Sequence, residues 1–262
     1  MRRFGKKVLI ICLSLVLMGL SKTVSAHDLW INVEDYTPEA GKHIRVTLGY
    51  GHYYLSPGSE VMPQEYLGKI YIISPNGRHL KLKPDFQGGY KTVASLQDKG
   101  TYLVVATKKG MFFTKTTEGY RRGKSKKGLK NVISCTYSVK YAKAIVNVGG
   151  KGGNSFSRSI GHKLEIIPLE DPANLSEGDY FPVKILYNKK PLSTVIFATY
   201  AGFSTEKNTF AYATKTDKEG IGKIKILKSG IWLIKVGYKA PYPNPKECDQ
   251  YSFSATLTFE VK

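Results

Sequence analysis

The sequence predicts an all-β protein made of two tandem immunoglobulin-like β-sandwiches that follow a cleaved signal peptide. Aromatic and β-branched residues are plentiful, short runs alternate apolar and polar residues between turn residues, and no long stretch has helical periodicity. Seven or so short strands at regular spacing are typical of the immunoglobulin-like sandwich. We therefore expect one sandwich over residues 27–150 and a second over residues 160–262.

Residues 1–26 have the pattern of a secretory signal peptide. Basic residues at the start precede an apolar run over 8–20, which is too short to cross a bilayer. Small residues then occupy the cleavage-recognition positions 24–26. This pattern predicts cleavage between Ala26 and His27 and export of the protein. We expect the processed chain to be soluble in a periplasm, without stable membrane insertion.

The net charge narrows the choice of partners. The formal charge is +20, and it falls to near +15 without the signal segment. Such a charge favours anionic surfaces and repels free cations at long range. The basic residues are mostly lysines scattered along strand-like segments, and nucleic acid is not an expected partner outside the cytoplasm. We interpret the charge as a basic, soluble surface.

The first half contains the clearest strand patterns. Residues 42–50, KHIRVTLGY, alternate apolar and polar side chains. Residues 69–83 form a hairpin signature around Pro75-Asn76-Gly77. Residues 100–115 repeat the pattern, and we expect a turn at Lys-Lys-Gly, 108–110.

Two segments interrupt these patterns, and a further hairpin follows them. Residues 115–130 hold seven Lys or Arg, one Glu and three Gly, which predicts a mobile basic loop. Residues 149–159, GGKGGNSFSRS, have the composition of a linker. In the second half, residues 179–200 predict a hairpin that turns at 188–191.

Cys135 and Cys248 are the cysteines left after signal cleavage, one in each half of the chain. In an oxidising compartment they could form a disulfide that ties the halves together. Two buried thiols or a thiolate ligand are the alternatives, because sequence does not give the distance between the two residues.

Histidines provide the candidate metal ligands. Cleavage would make His27 the first residue, and its α-amine and imidazole Nδ1 can then close one chelate ring on a metal ion. His52 lies between glycines in GYGHYYL, with Glu60 and Glu65 close behind it in sequence. Imidazole suits zinc, copper, nickel and iron, and the borderline divalent ions among them fit best.

Structural or surface roles are the expectation for the other histidines, which are His43, His79 and His162. The sequence contains no Gly-x-Ser-x-Gly, His-Glu-x-x-His or phosphate-loop motif. We therefore expect a binding protein and not an enzyme.

Several segments together resemble a periplasmic family of unknown function associated with nickel and cobalt uptake. The most specific are AHDLW at 26–30, GYGHYYL at 49–55 and the LEIIPLEDP start of the second half at 164–172. The resemblance implies a periplasmic accessory that binds nickel or cobalt for an inner-membrane importer. Carried over by position, His27 and His52 are the implied metal ligands.

Two other functions fit the same residues. A copper ion held by an amino-terminal histidine and a second histidine on a β-sandwich occurs in copper carriers and oxidative enzymes. Alternatively, tandem sandwiches without a metal could bind a partner through loops such as 115–130, as an adhesion or scaffold protein does.

Overall fold

The computed structural model describes residues 27–56, 59–85, 88–150 and 152–262. The predicted signal segment, 1–26, lies outside these ranges. The strands are β1 Asp28–Val33, β2 Arg45–Gly51, β3 Glu60–Val61, β4 Leu67–Ile73, β5 His79–Leu80, β6 Leu82–Pro84, β7 Tyr90–Thr92, β8 Gly100–Thr116, β9 Gly119–Arg122, β10 Val132–Val148, β11 Leu164–Pro168, β12 Tyr180–Tyr187, β13 Lys190–Pro191, β14 Val195–Tyr200, β15 Tyr212–Lys215, β16 Ile221–Lys225, β17 Gly230–Pro241 and β18 Gln250–Val261. Short 3₁₀ turns cover Gln64–Tyr66, Asn154–Ser157 and Pro172–Asn174.

These strands form three sheets, which confirms the predicted all-β sandwich class. The amino-terminal sheet has the order β1-β2-β7-β6, with β3 beside β2. The large sheet has the order β15-β14-β17-β18-β10-β8-β4-β5, with β9 beside β8. The carboxy-terminal sheet has the order β11-β12-β13, with β16 beside β12. Within the described ranges, no helix is long and apolar enough to cross a membrane.

The large sheet joins the two halves of the chain. β18, from the second half, pairs in parallel with β10 from the first half, over Thr136↔Gln250 to Ala144↔Thr258. The disulfide Cys135–Cys248, with a Cα–Cα distance of 4.9 Å, lies next to the start of this pairing. The two predicted sandwiches, 27–150 and 160–262, therefore share one continuous sheet.

The middle of this sheet is buried on both faces. Val104 and Ala142 pack into the core beneath the amino-terminal sheet, whereas Val105 and Ile145 pack into the core beneath the carboxy-terminal sheet. Strands covered on both faces have near-continuous apolar runs, and this explains TYLVVA in β8 and AIV in β10.

Two predicted local features in the first half were wrong. Residues 108–110 are not a hairpin turn, because β8 continues through them with a register irregularity between Lys108 and Met111. A Cβ at Gly110 would overlap the ring of Tyr137, so glycine is needed there for close packing and not for a turn. The basic segment 115–130 is not a simple loop, because β9 within it pairs with β8.

Two predicted hairpins are present. β4 pairs with β5 across the Pro-Asn-Gly turn, and β12 pairs with β13 across Asn188 and Lys189. These two turn residues have φ values of 49° and 65°, which suits a two-residue hairpin turn. After β13 the chain leaves this pairing, because β14 joins the large sheet.

Candidate metal centre

His27 and His52 lie side by side at the end of the β1–β2 ladder. The last paired residues of this antiparallel ladder are Asp28 and Gly51, so the next opposed positions are His27 and His52. The two ring centroids are 4.7 Å apart. Directly opposed side chains in an antiparallel pair come close together, and the structure thus brings the two predicted ligands to one place.

A carboxylate and an aromatic ring complete the immediate surroundings of His27. Its ring stacks on Tyr50 with a centroid distance of 5.0 Å. Glu60 pairs with Tyr50 in β3, and its Oε2 lies 4.0 Å from His27 Nε2. Glu65, the other predicted oxygen source, lies exposed in a 3₁₀ turn.

The ring of His52 is oriented by a residue from the second half of the chain. His52 Nδ1 lies 3.1 Å from Asn208 Oδ1, and the backbone N–H of Asn208 donates to the His52 carbonyl. An amide oxygen is an acceptor, so it favours the tautomer with the proton on Nδ1. That tautomer leaves the Nε2 lone pair free to bind a metal ion.

The electrostatics around His27 favour its neutral imidazole. Burial lowers the pKa of His27 below its usual value, and the neighbouring His52 lowers it further, whereas Glu60 raises it. Only the neutral imidazole has a lone pair for a metal ion. Among the residues that the structure describes, no group of three or more His, Cys, Asp or Glu side chains has the arrangement of a metal site. The two imidazoles are therefore the side-chain donors that lie together, and the Glu60 carboxylate lies beside one of them.

The remaining histidines lie elsewhere. His43 is exposed, with Nδ1 3.1 Å from the Thr92 carbonyl. His79 is exposed and stacks on Tyr71. His162 stacks on Tyr141 at 4.3 Å, and burial lowers its pKa to about 4. None of these three rings is in contact with the His27–His52 pair in the described part of the molecule.

Sequence reasoning missed a buried charge cluster behind the histidines. Asp28 is 1 % exposed and accepts a hydrogen bond from Tyr54 Oη at 2.5 Å. Its carboxylate lies 2.5 Å from Lys235 Nζ and 3.9 Å from Lys140 Nζ. Burial opposes ionisation, but the two lysines outweigh it and lower the pKa of Asp28.

A third buried lysine adjoins this cluster. Lys108 is 4 % exposed and is the cross-strand partner of Lys140. Burial, with a contribution from Lys140, lowers the pKa of Lys108 to about 8. The visible signal in the sequence is a lysine or aspartate inside an otherwise apolar strand, as in GIWLIKV and HDLWI, but only the pairing of the strands shows that they meet.

Comparison with known proteins gives one extensive match and several distant likenesses. A model of the family described as "Domain of unknown function (DUF4198)" matches residues 24–240. A search of curated proteins found no match.

Among solved structures, murine CEACAM1b is 10 % identical, with a TM-score of 0.22, and the match covers 90 % of this chain and 99 % of that one. The D0–D1 domain of intimin is 13 % identical, with a TM-score of 0.22 and coverages of 89 % and 98 %. At such TM-scores these likenesses carry no argument about function.

Proposed function

The chain belongs to the family of the domain of unknown function DUF4198, and we propose that it binds divalent nickel or cobalt through His27 and His52. In this proposal the protein resides in the periplasm, where it presents or buffers the metal for an inner-membrane importer. The metal ion is cargo that is bound and released, and no chemical reaction is involved.

The observation that carries the proposal is the cross-strand histidine pair. Two ligands of one ion, each near 2 Å from it, require imidazoles that lie within a few ångströms of each other. The centroid distance of 4.7 Å meets this requirement. Tyr50 and Asn208 hold the two rings from different sides, so the pair needs little reorganisation to bind an ion.

The processed amino terminus supplies the further donors in this proposal. Cleavage after Ala26 would place an α-amine on His27, and amine and imidazole together form a chelate. A water molecule can complete the coordination, whereas Glu60, at 4.0 Å from His27 Nε2, lies at the ring nitrogen that the chelate does not use. Borderline divalent ions prefer such nitrogen-rich sites.

Titration calorimetry with Ni²⁺ and Co²⁺ tests the histidine pair. We expect His52→Ala and His27→Ala each to weaken binding at least about tenfold, which corresponds to ~1.4 kcal/mol. His43→Ala and His79→Ala are matched controls, because both rings are exposed and neither is in contact with the pair. Equal affinity in wild type and His52→Ala would refute the proposal.

The role of the His27 α-amine as a metal ligand is tested by changing the amino terminus of the chain. Natively exported protein, with its first residue verified by mass spectrometry, is compared with a chain that carries one extra residue before His27. We expect weaker binding by the extended chain, and weaker binding by both forms as the pH falls, because protons compete for the nitrogens. Identical affinities of the two forms would exclude the amine as a ligand.

Competition distinguishes the possible metals. Nitrogen donors bind Cu²⁺ more tightly than Ni²⁺ or Co²⁺ by intrinsic affinity, so supply in the compartment decides which ion is carried. Binding restricted to Cu²⁺, with oxidation of a reporter by the copper-loaded form, would favour the copper alternative. No binding of any of these ions or of Zn²⁺ would favour a metal-free adhesion or scaffold role.

A further inference from the structure

Two buried lysines lie side by side on neighbouring strands, on one face of the large sheet. Lys108 in β8 and Lys140 in β10 are direct cross-strand partners, and their exposures are 4 % and 3 %. Like charges directly opposite each other destabilise a sheet, and burial adds the cost of removing each ammonium from water. An anion against both ammonium groups would offset these costs.

Among the described residues, carboxylates neutralise this pair only in part. Asp28 is 3.9 Å from Lys140, but it lies closer to Lys235, at 2.5 Å. Among the described residues, no carboxylate forms an ion pair with Lys108. Its Nζ donates to the Lys109 carbonyl at 3.4 Å and lies 5.1 Å from the ring centre of Tyr66. Three ammonium groups thus accompany one buried carboxylate.

Two buried hydroxyls beside the lysines provide an independent observation. The Oγ atoms of Ser138 and Ser254 are buried without a hydrogen-bond partner. Ser254 is the partner of Lys140 in the parallel pairing, and Ser138 precedes Lys140 by two positions in β10. A buried hydroxyl without a partner has lost its hydrogen bonds to water without a replacement, which destabilises the fold. Both can donate to an oxyanion that lies against the lysines.

This polar group lies at the same end of the molecule as the histidine pair. His27 is two positions from Leu29, which packs in one core cluster with Ala106 and Ala142. Alternation along β1 places His27 on the Leu29 face. Lys108 is two positions from Ala106, and Lys140 is two positions from Ala142. Both lysines therefore lie on the same face of the large sheet as the two alanines, at the same end of that core.

A row of rings connects the two groups. Tyr50 stacks on His27 at 5.0 Å, the rings of Tyr50 and Tyr66 are 6.3 Å apart, and Tyr66 lies under Lys108 Nζ. The positive charge of Lys140 also acts on His27. The histidine pair and Lys108 therefore border one continuous row of rings, and a ligand with carboxylates beyond its metal-binding atoms can extend along that row towards the lysines.

We propose that Lys108 and Lys140 form an oxyanion site that binds the carboxylate groups of a small chelator accompanying the metal ion. This inference rests on the proposed function, because the metal is the one held by His27 and His52. It identifies the cargo as an anionic metal–polycarboxylate complex. A strongly basic protein attracts such a complex, whereas it repels the free cation.

Calorimetry with nickel–citrate, Ni²⁺ alone, citrate alone and inorganic phosphate tests this site in the processed chain. We expect nickel–citrate to bind at least about tenfold more tightly than Ni²⁺ alone, and Lys108→Met to abolish that preference. Binding of Ni²⁺ alone should be unchanged or tighter in Lys108→Met, because a positive charge is removed. Lys109→Met is the matched control, since Lys109 is exposed and adjacent in the chain.

Each outcome separates the inference from the proposed function. Equal affinities for Ni²⁺ and nickel–citrate, or a preference retained in Lys108→Met, would overturn the oxyanion site and leave the histidine site standing. Tighter binding of phosphate than of citrate would overturn the carboxylate assignment. Citrate binding that depends on Lys108, without any binding of Ni²⁺, would support the oxyanion site and refute the metal site. Circular dichroism and thermal unfolding verify that Lys108→Met folds.

Discussion

Lys140 and Lys143 lie three residues apart in β10, and both are 3 % exposed. They face opposite sides of the large sheet: Lys140 meets Asp28 beneath the amino-terminal sheet, and Lys143 meets Glu165 beneath the carboxy-terminal sheet. The chemistry is the same, an ammonium and a carboxylate removed from water. The two surroundings differ in how completely those charges are satisfied.

The Lys143–Glu165 pair is closed, in the sense that each charge has a partner of opposite sign. Lys143 Nζ donates to Glu165 Oε1 at 3.0 Å, and three further donors bind the same carboxylate, namely Ser159 Oγ and the backbone N–H groups of Ile160 and Gly161. Burial opposes ionisation of Glu165, but Lys143 and these donors lower its pKa. One charge of each sign and a full set of hydrogen bonds are typical of a structural ion pair.

The cluster around Lys140 is open, in the sense that its positive charges outnumber its carboxylates. Its nearest carboxylate oxygen is 3.9 Å away, another buried lysine faces it, and two adjacent hydroxyls have no partner. The difference teaches that burial of a charge alone does not identify a binding site. The proposed oxyanion site rests instead on an excess of one sign together with unused donors, an arrangement that a bound anion would stabilise.

Breaking the closed pair should have the largest effect. Lys143→Met leaves Glu165 buried without its cation, and loss of one partner of a buried ion pair costs about 3–5 kcal/mol. Guanidinium unfolding of the variant would measure this loss. The double variant Lys143→Met/Glu165→Gln is the control, and it should recover part of the stability because no uncompensated charge remains and the amide oxygen still accepts hydrogen bonds from the backbone donors. A single variant as stable as wild type would show that the closed pair is not structural.

His162 should give the next largest effect, through pH. Burial lowers its pKa from 6.5 to about 4 in the folded protein, so the unfolded chain binds the proton first as the pH falls. His162 therefore adds no penalty above pH 6.5 and lowers the free energy of unfolding progressively between pH 6.5 and 4, by about 1–3 kcal/mol.

His162→Phe should remove this part of the acid-induced loss and keep the stacking on Tyr141. Unfolding midpoints measured between pH 4 and 7 check it. His79→Phe is the control, because that ring is exposed on the surface and stacks on Tyr71 in a similar way. Parallel pH profiles for wild type and His162→Phe would contradict the expected role of burial.

The β class and two hairpins could be predicted from sequence because they depend on local patterns. Alternation and the Pro-Asn-Gly turn determine β4 and β5, and Asn188 with Lys189 determines the turn after β12. The turn predicted at Lys-Lys-Gly was wrong because a glycine can mark either a turn or the close approach of a neighbouring side chain. At Gly110 it admits the Tyr137 ring into a continuous strand, and local sequence does not distinguish that purpose from a turn.

The site could be predicted only in part for a related reason. The histidines were found by residue type and position in the chain, but their opposition depends on the register of β1 and β2. The meeting of Asp28 with Lys235 depends on contacts between residues about two hundred positions apart. No periodicity in one sequence specifies such a pairing. The number of charged and hydrogen-bonding partners of each lysine, which separates the closed pair from the open cluster, follows from the pairing of the strands.

Lys140→Met should have the smallest effect and sharpens the contrast most. It removes one of three ammonium groups near one carboxylate, while Asp28 keeps Lys235 and the Tyr54 hydroxyl as partners. We expect a change below about 1 kcal/mol in the free energy of unfolding, of either sign, because relief of repulsion with Lys108 offsets the lost attraction to Asp28. Guanidinium unfolding beside Lys143→Met gives the comparison on one strand. A loss as large as that of Lys143→Met would mean that Lys140 is needed to hold Asp28, and the surplus of positive charge would then be structural.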